Sequence, residues 1–269
     1  MMRSSLWLGV PFLLTALAGV PAHAVATVFV DELTWSEVRD RLRAGTTTVI
    51  IPVGGTEQNG PHMVLGKHNV RVKALAGKIA ATLGNALVAP VVSYVPEGSI
   101  HPPTAHMRFP GTITVPDAAF EQVIESAARS FRVHGFRDVV LLGDHGGYQK
   151  SLAKVAARLN REWAATSGRA HAIVEYYRVT QTAYPQALKG RGYSDDEIGT
   201  HAGLADTSLA LAIDPGLVRP DKLASGGRGA LADGVTGDPR RATAELGQLG
   251  VDAIVAATVD AIRRATTRR

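Results

Sequence analysis

No cysteine occurs among the 269 residues. That removes disulfides, cysteine-ligated zinc, iron–sulfur clusters, c-type haem attachment and thiol nucleophiles together. A metal ion here must be held by histidine and carboxylate. A chain of this length buries roughly 70–75% of the surface its unfolded form exposes, so it needs no metal as a staple, and any ion points to chemistry. Aromatic residues are few, at 6%, and charge of one sign does not accumulate: 29 Lys and Arg against 24 Asp and Glu leave +5. Arginine is scattered through helical segments rather than gathered in a stripe, which argues against a nucleic-acid partner. The short basic end Arg263, Arg264, Arg268, Arg269 reads as a solvated helix end. The apolar run Leu6 to Val20 falls short of the roughly 20 residues that span a bilayer. It follows Arg3 and precedes Pro21-Ala22-His23-Ala24, the small-x-small pattern of a signal-peptidase site. Residues 1–24 are therefore expected to be a signal peptide cleaved near Ala24, leaving 25–269 as a periplasmic or secreted chain with no membrane partner.

From Val28 onward no Pro/Gly/Ser linker, low-complexity tract or repeat interrupts the chain, and strand-like and helix-like segments alternate. Thr34 with Glu37 opens a helix to about Ala44. Thr47 to Val53 is β-branched and uncharged, as a buried strand should be. Asn69 to Leu83 has helical apolar spacing and stops at Gly84, and Ala86 to Val92 is the next strand. A helix over 116–134, a strand over 137–142, a helix over 149–165 and a fourth strand over 171–177 follow. Strands joined by helices of this length are largely parallel, so the fold class is α/β in a single domain. In such sheets the ligand crevice lies beyond the carboxyl ends of the strands, here after Val53, Val92 and Leu142.

The segments at these ends carry polar side chains. After the first strand come Glu57 and, eleven positions on, His68. After the third comes Gly143-Asp144-His145-Gly146-Gly147-Tyr148, whose glycines let the backbone approach a small ligand. Glu57, His68 and His145 make a three-ligand nitrogen and oxygen set with a fourth position free, the pattern of a catalytic zinc site. His201-Ala202-Gly203-Leu204-Ala205-Asp206-Thr207-Ser208 opens a helix to about Ile213. Two readings stand there: Asp206 as a first-turn carboxylate favoured by the helix dipole, or His201 as a proton donor and acceptor with Asp206 orienting it or filling an outer ligand position. His101 to Thr112, with prolines at 102 and 103, reads as a rigid rim that offers His106 to a substrate.

In order and spacing these segments resemble the creatininase (creatinine amidohydrolase) family. The family's Glu-x-His-Gly loop followed by Leu-Gly-Thr-Asp is similar to Glu57-Gln58-Asn59-Gly60 followed by Leu65-Gly66-Lys67-His68. Its Phe-Pro-Gly-Thr matches Phe109 to Thr112, its Asn-Gly-His-Gly-Gly-Asn resembles 143–148, its His-Ala-Gly-Glu-x-Glu-Thr-Ser resembles His201 to Ser208, and a late Gly-x-x-Gly-Asp-Pro matches Gly234 to Pro239. The resemblance spans nearly all of 25–269. It implies a three-layer α/β/α architecture, hydrolysis of a carbon–nitrogen bond in a small, cyclic amide, and assembly into a homo-oligomer, a hexamer.

The family's two metals share the Asp of the first loop, where this chain has His68. Asn59 stands for the intervening His and Leu204 for a Glu. These departures imply one divalent ion, zinc in first place with manganese or iron as alternatives, and a second site that is weak or absent. Asn59, His106 and Tyr148 are then the expected substrate contacts, and Asp144 stands behind the ligands. The same site acting on a lactone or as a lyase, or a binding protein without catalysis, are the competing readings.

Overall fold

The computed structural model describes residues 27–225 and 233–267. The expected signal peptide, residues 1–24, lies outside the described residues, as do Arg268 and Arg269. Among the described residues no helix is long and apolar enough to cross a membrane.

Four parallel strands form the sheet, in the order β2-β1-β3-β4: β1 is Thr48–Val53, β2 Ala86–Val88, β3 Asp138–Gly143 and β4 Arg169–Ala172. Every residue of β1 and β3 is buried, because helices cover both faces. Side chains alternate between two cores. Ile50, Val140 and Leu142 face α2 (Lys67–Leu83), α5 (Glu175–Gln181), α8 (Leu204–Ile213) and α9 (Ala244–Thr267). Val49, Ile51, Val53, Val139 and Leu141 face α3 (Asp117–Val133) and α4 (Gln149–Glu162), with Val38 and Leu42 of α1 (Trp35–Arg43) packed alongside. The expected α/β/α sandwich with a parallel sheet is what the chain forms.

Several boundaries differ from those read from the sequence; α4 ends at Glu162 rather than at 165. β2 ends at Val88, with one isolated bridge from Val53 to Val92 continuing its line. α2 begins at Lys67, two residues early, and stops at left-handed Gly84. The expected strand 171–177 is instead the short β4 followed by α5. Ile173 and Tyr176 are apolar because they enter the α-helical core, not because they extend the sheet. Two further short helices, α6 (Ala183–Lys189) and α7 (Asp195–Ile198), lead into α8.

From β1 the chain runs through α2 to β2 on one side, then crosses over to β3 on the other, so the topological switch lies between the carboxyl ends of β1 and β3. The functional side chains gather there.

Candidate metal centre

The loop after β1 carries Glu57 inward with full burial. Several contacts fix it. Asn59 donates its amide to the carbonyls of Glu57 and Val64 (2.9 and 3.1 Å), and the Gln58 N–H donates to Thr112 Oγ1 (3.1 Å). Ile113 N–H donates to the Thr56 carbonyl (3.0 Å). The Phe109–Thr112 motif thus braces the Glu57 loop from outside. Tyr148 closes the gap between β1 and β3. Its hydroxyl lies 2.9 and 2.5 Å from the Val53 and Gly54 carbonyls and accepts from the Asp144 and His145 N–H groups (3.2 and 3.0 Å).

Four ligand-type side chains from four segments meet beside that stitch: Glu57, Glu97, His106 and His145, whose ligand atoms all lie within 4.8 Å of one another. His106 Nε2 is 3.2 Å and His145 Nε2 3.6 Å from Glu57 Oε2, and His145 Nδ1 is 3.7 Å from Glu97 Oε2. Glu57 Oε2 and both oxygens of Glu97 are buried and receive no hydrogen bond from backbone or from another donor side chain, and the two carboxyls lie close enough to share a proton. Buried carboxylate oxygens are rarely left so, and three in one cluster beside two imidazoles make a cation's donor set. Gly55, at φ +153°, allows the approach: a Cβ there would stand 2.8 Å from Glu97 Oε1.

The protonation pattern agrees. Burial alone would raise the Glu57 carboxyl, but the charge and hydrogen bond of His68, with Lys67 and His145 nearby, outweigh it and hold the group below its ordinary value. Burial and the adjacent Glu57 carboxylate push Glu97 up to about 9. Burial brings His145 down to about 4 against the pull of Glu57, so at neutral pH it is an uncharged imidazole with a lone pair to give. His106 is lowered likewise, by burial first.

The expected ligand set needs correction at His68. Because α2 starts at Lys67, His68 sits in its first turn with Nε2 2.7 Å from Glu57 Oε1 and Nδ1 2.6 Å from Asp144 Oδ2. Each ring nitrogen faces a carboxylate, and His68 stands outside the group of four that meet beside the Tyr148 stitch. Glu97, which the sequence reading missed, joins the cluster. Its signal was its place in Val95-Pro96-Glu97-Gly98, beyond the second strand, where ligands were expected. His106 moves from expected substrate contact to cluster member. Tyr148 and Asn59, expected as substrate contacts, are fully buried; the Tyr148 hydroxyl and the Asn59 amide nitrogen are tied to backbone groups, and Asn59 Oδ1 has no partner. Asp144 does stand behind a histidine, but it is His68. Its other partners are Arg71 Nε (2.8 Å) and the Tyr176 hydroxyl (2.7 Å).

Asp206 does not orient His201. It accepts from Lys67, from Arg71 Nη1 (2.6 Å) and from the Ala202 N–H (3.0 Å). His201 Nε2 instead meets Gln58, 3.0 Å from its carbonyl, and Nδ1 lies 3.8 Å from Glu57 Oε1. The late glycine motif supports that placement. Thr200 and His201 N–H groups donate to the Thr236 carbonyl (2.9 and 3.2 Å), and Gln58 Nε2 donates to the Gly234 carbonyl (3.0 Å). A cavity of about 320 Å³ opens beside the cluster, lined by Lys67, His145 and His201 on its inner side and by Gln181, Gln186 and Lys189 further out.

The creatininase profile, described as creatinine amidohydrolase, matches residues 31–262. Over 256 residues the chain is 29% identical to creatinine amidohydrolase of Pseudomonas putida, covering 88% of this chain and 96% of the relative. It is 30% identical over 245 residues to the mycofactocin precursor peptide peptidase of Mycolicibacterium smegmatis, covering 83% and 87%. Among solved structures, a mutant creatininase described as Zn-Zn type is 28% identical with a TM-score of 0.73, and a creatininase described with Mn is 28% identical with a TM-score of 0.72; each covers 89% of this chain and 98% of its own. With the sheet, the switch-point cluster and this agreement along nearly the whole described chain, the protein belongs to the creatininase family.

Proposed function

We propose that the protein is a hydrolase that uses one divalent ion, zinc in first place, to open the carbon–nitrogen bond of a small amide. The observation that carries this reading is the convergence of Glu57, Glu97, His106 and His145, with three buried carboxylate oxygens that receive no hydrogen bond from backbone or from another donor side chain. A divalent ion held by these four supplies a Lewis acid that polarises a carbonyl oxygen and brings the pKa of water toward 7.

The chain's own residues account for the remaining steps. His201 lines the cavity, and burial and the Lys67 charge bring its pKa to about 4, so it is neutral at pH 7. Its Nε2 meets Gln58 twice, 3.0 Å from the backbone carbonyl and 3.1 Å from the side-chain amide, and its Nδ1 lies 3.8 Å from Glu57 Oε1. As a neutral imidazole it takes a proton from the attacking water and returns it to the leaving nitrogen. Gln58 positions the ring, the role first expected of Asp206. The outer wall of the cavity, with Thr180, Gln181, Gln186 and Thr200, offers amide and hydroxyl groups. It suits a polar, hydrogen-bonding amide, as the cyclic amides are. The chain acts, on this reading, after export from the cytoplasm and as a homo-oligomer.

Metal analysis of the purified protein should find about one ion per chain, and screening of cyclic amides should find an activity lost on chelation and restored by zinc. His145→Ala should lose both ion and turnover, whereas His201→Ala should keep the ion and lose turnover by about 10²–10⁴-fold. A protein that takes up no zinc would refute the reading, and release of the ion by His201→Ala would refute the role of His201.

A further inference from the structure

A row of buried ionic side chains runs away from the cluster. Glu57 meets His68 (2.7 Å), His68 meets Asp144 (2.6 Å), Asp144 meets Arg71 (2.8 Å), Arg71 meets Asp206 (2.6 Å) and Asp206 meets Lys67. Three carboxylates alternate with three basic side chains. Lys67 has 1% of its side chain exposed, His68 4% and Arg71 5%. All three basic groups come from the start of α2, at positions i, i+1 and i+4. A helix N-terminus disfavours cations, and α2 has no acidic residue in its first turn. The helix gains nothing from basic residues there, so their charge serves the surroundings.

Three carboxylates packed beside a metal cluster must be balanced, because a buried charge without a partner costs several kcal/mol. Either a second metal ion or the chain itself can supply the positive charge. Here the chain does. Lys67 also lines the cavity with only one of its three ammonium protons given to a hydrogen-bond acceptor, Asp206.

We propose that Lys67 and His68 occupy the place in which a second divalent ion would otherwise balance Glu57, Asp144 and Asp206, so that the centre takes a single ion. The proposal rests on the reading of Glu57, Glu97, His106 and His145 as a metal site.

The test is an ion count that needs no substrate. The wild-type protein is titrated with zinc and examined by native mass spectrometry, and with manganese by electron paramagnetic resonance. One ion per chain at saturation and the six-line signal of an isolated Mn²⁺ are expected. The double variant Lys67→Thr with His68→Asp should take two zinc ions per chain and give an exchange-coupled manganese signal. Two ions in the wild type would overturn the proposal, and so would a double variant that is folded by circular dichroism yet still holds one. The wild-type count decides the matter even if the variant does not fold. No ion in the wild type would overturn the metal reading itself, a separate outcome from either of these.

Discussion

Glu97 is the residue on which the centre turns most directly, because its carboxyl is buried beside Glu57 with neither oxygen held by backbone or by another donor side chain. Its folded pKa of about 9 lies above the ordinary 4.5. The stability it lends is therefore complete below pH 4.5 and is lost as pH rises toward 9. In the metal-free protein at pH 8, Glu97→Gln should raise the melting temperature, since the amide cannot ionise, while reducing zinc affinity by at least tenfold. Calorimetry and zinc titration of the same samples check both halves; a lower melting temperature would mean the carboxylate is already stabilised without an ion. The meeting of Glu57 and His145 is legible from their places at two strand ends. Glu97 is not, because a single carboxylate after a proline resembles any turn residue. The partners of His68 are not legible either, because its spacing from Glu57 fits a loop as well as a helix. Two additional residues of helix turn it toward Asp144.

At the scale of elements, β1 and β3 pair along six residues, and Tyr148 ties together the chain ends that leave them at the switch point. Tyr148→Phe leaves the His145 N–H and the Gly54 carbonyl short of a partner, since the Asp144 N–H and the Val53 carbonyl keep each other, a loss of about 1–3 kcal/mol. Thermal unfolding should show this as a fall of roughly 2–4 °C per kcal/mol for a chain of this size. Zinc affinity should also weaken, as the Glu57 and His145 loops are no longer tied together. An unchanged affinity would separate the stitch from the site. The buried strands and long helices were readable because an uncharged β-branched run and a 3.6-residue apolar spacing report local burial. The end of β4 was not, since Ile173, Tyr176 and Val179 suit a strand or a core helix alike, and only packing against α9 decides between them.

Protons and metal act on the stability of the whole molecule in opposite directions. His145 and His201 have folded pKa values of about 4 against an ordinary 6.5. The unfolded chain takes up these protons first, so the two histidines remove stability from the metal-free protein as pH falls from 6.5 to 4, against the gain from Glu97 over the upper part of that range. Ion binding needs His145 neutral and Glu97 ionised, so the melting-temperature gap between zinc-loaded and metal-free protein should widen from pH 4 to pH 9. With free zinc at about a thousand times Kd the added stabilisation reaches about 4 kcal/mol. Paired calorimetric scans across that range check the trend, and a gap independent of pH would contradict the ligand assignment.

The four proposed ligands all lie between residues 57 and 145, whereas the outer cavity wall comes from α5, α6 and the turn before α8. Substitutions at Gln181, Gln186 or Lys189 can accumulate without disturbing the atoms around the ion. Descendants of one ancestral chemistry can in this way drift apart in what they accept while inheriting the reactive core unaltered.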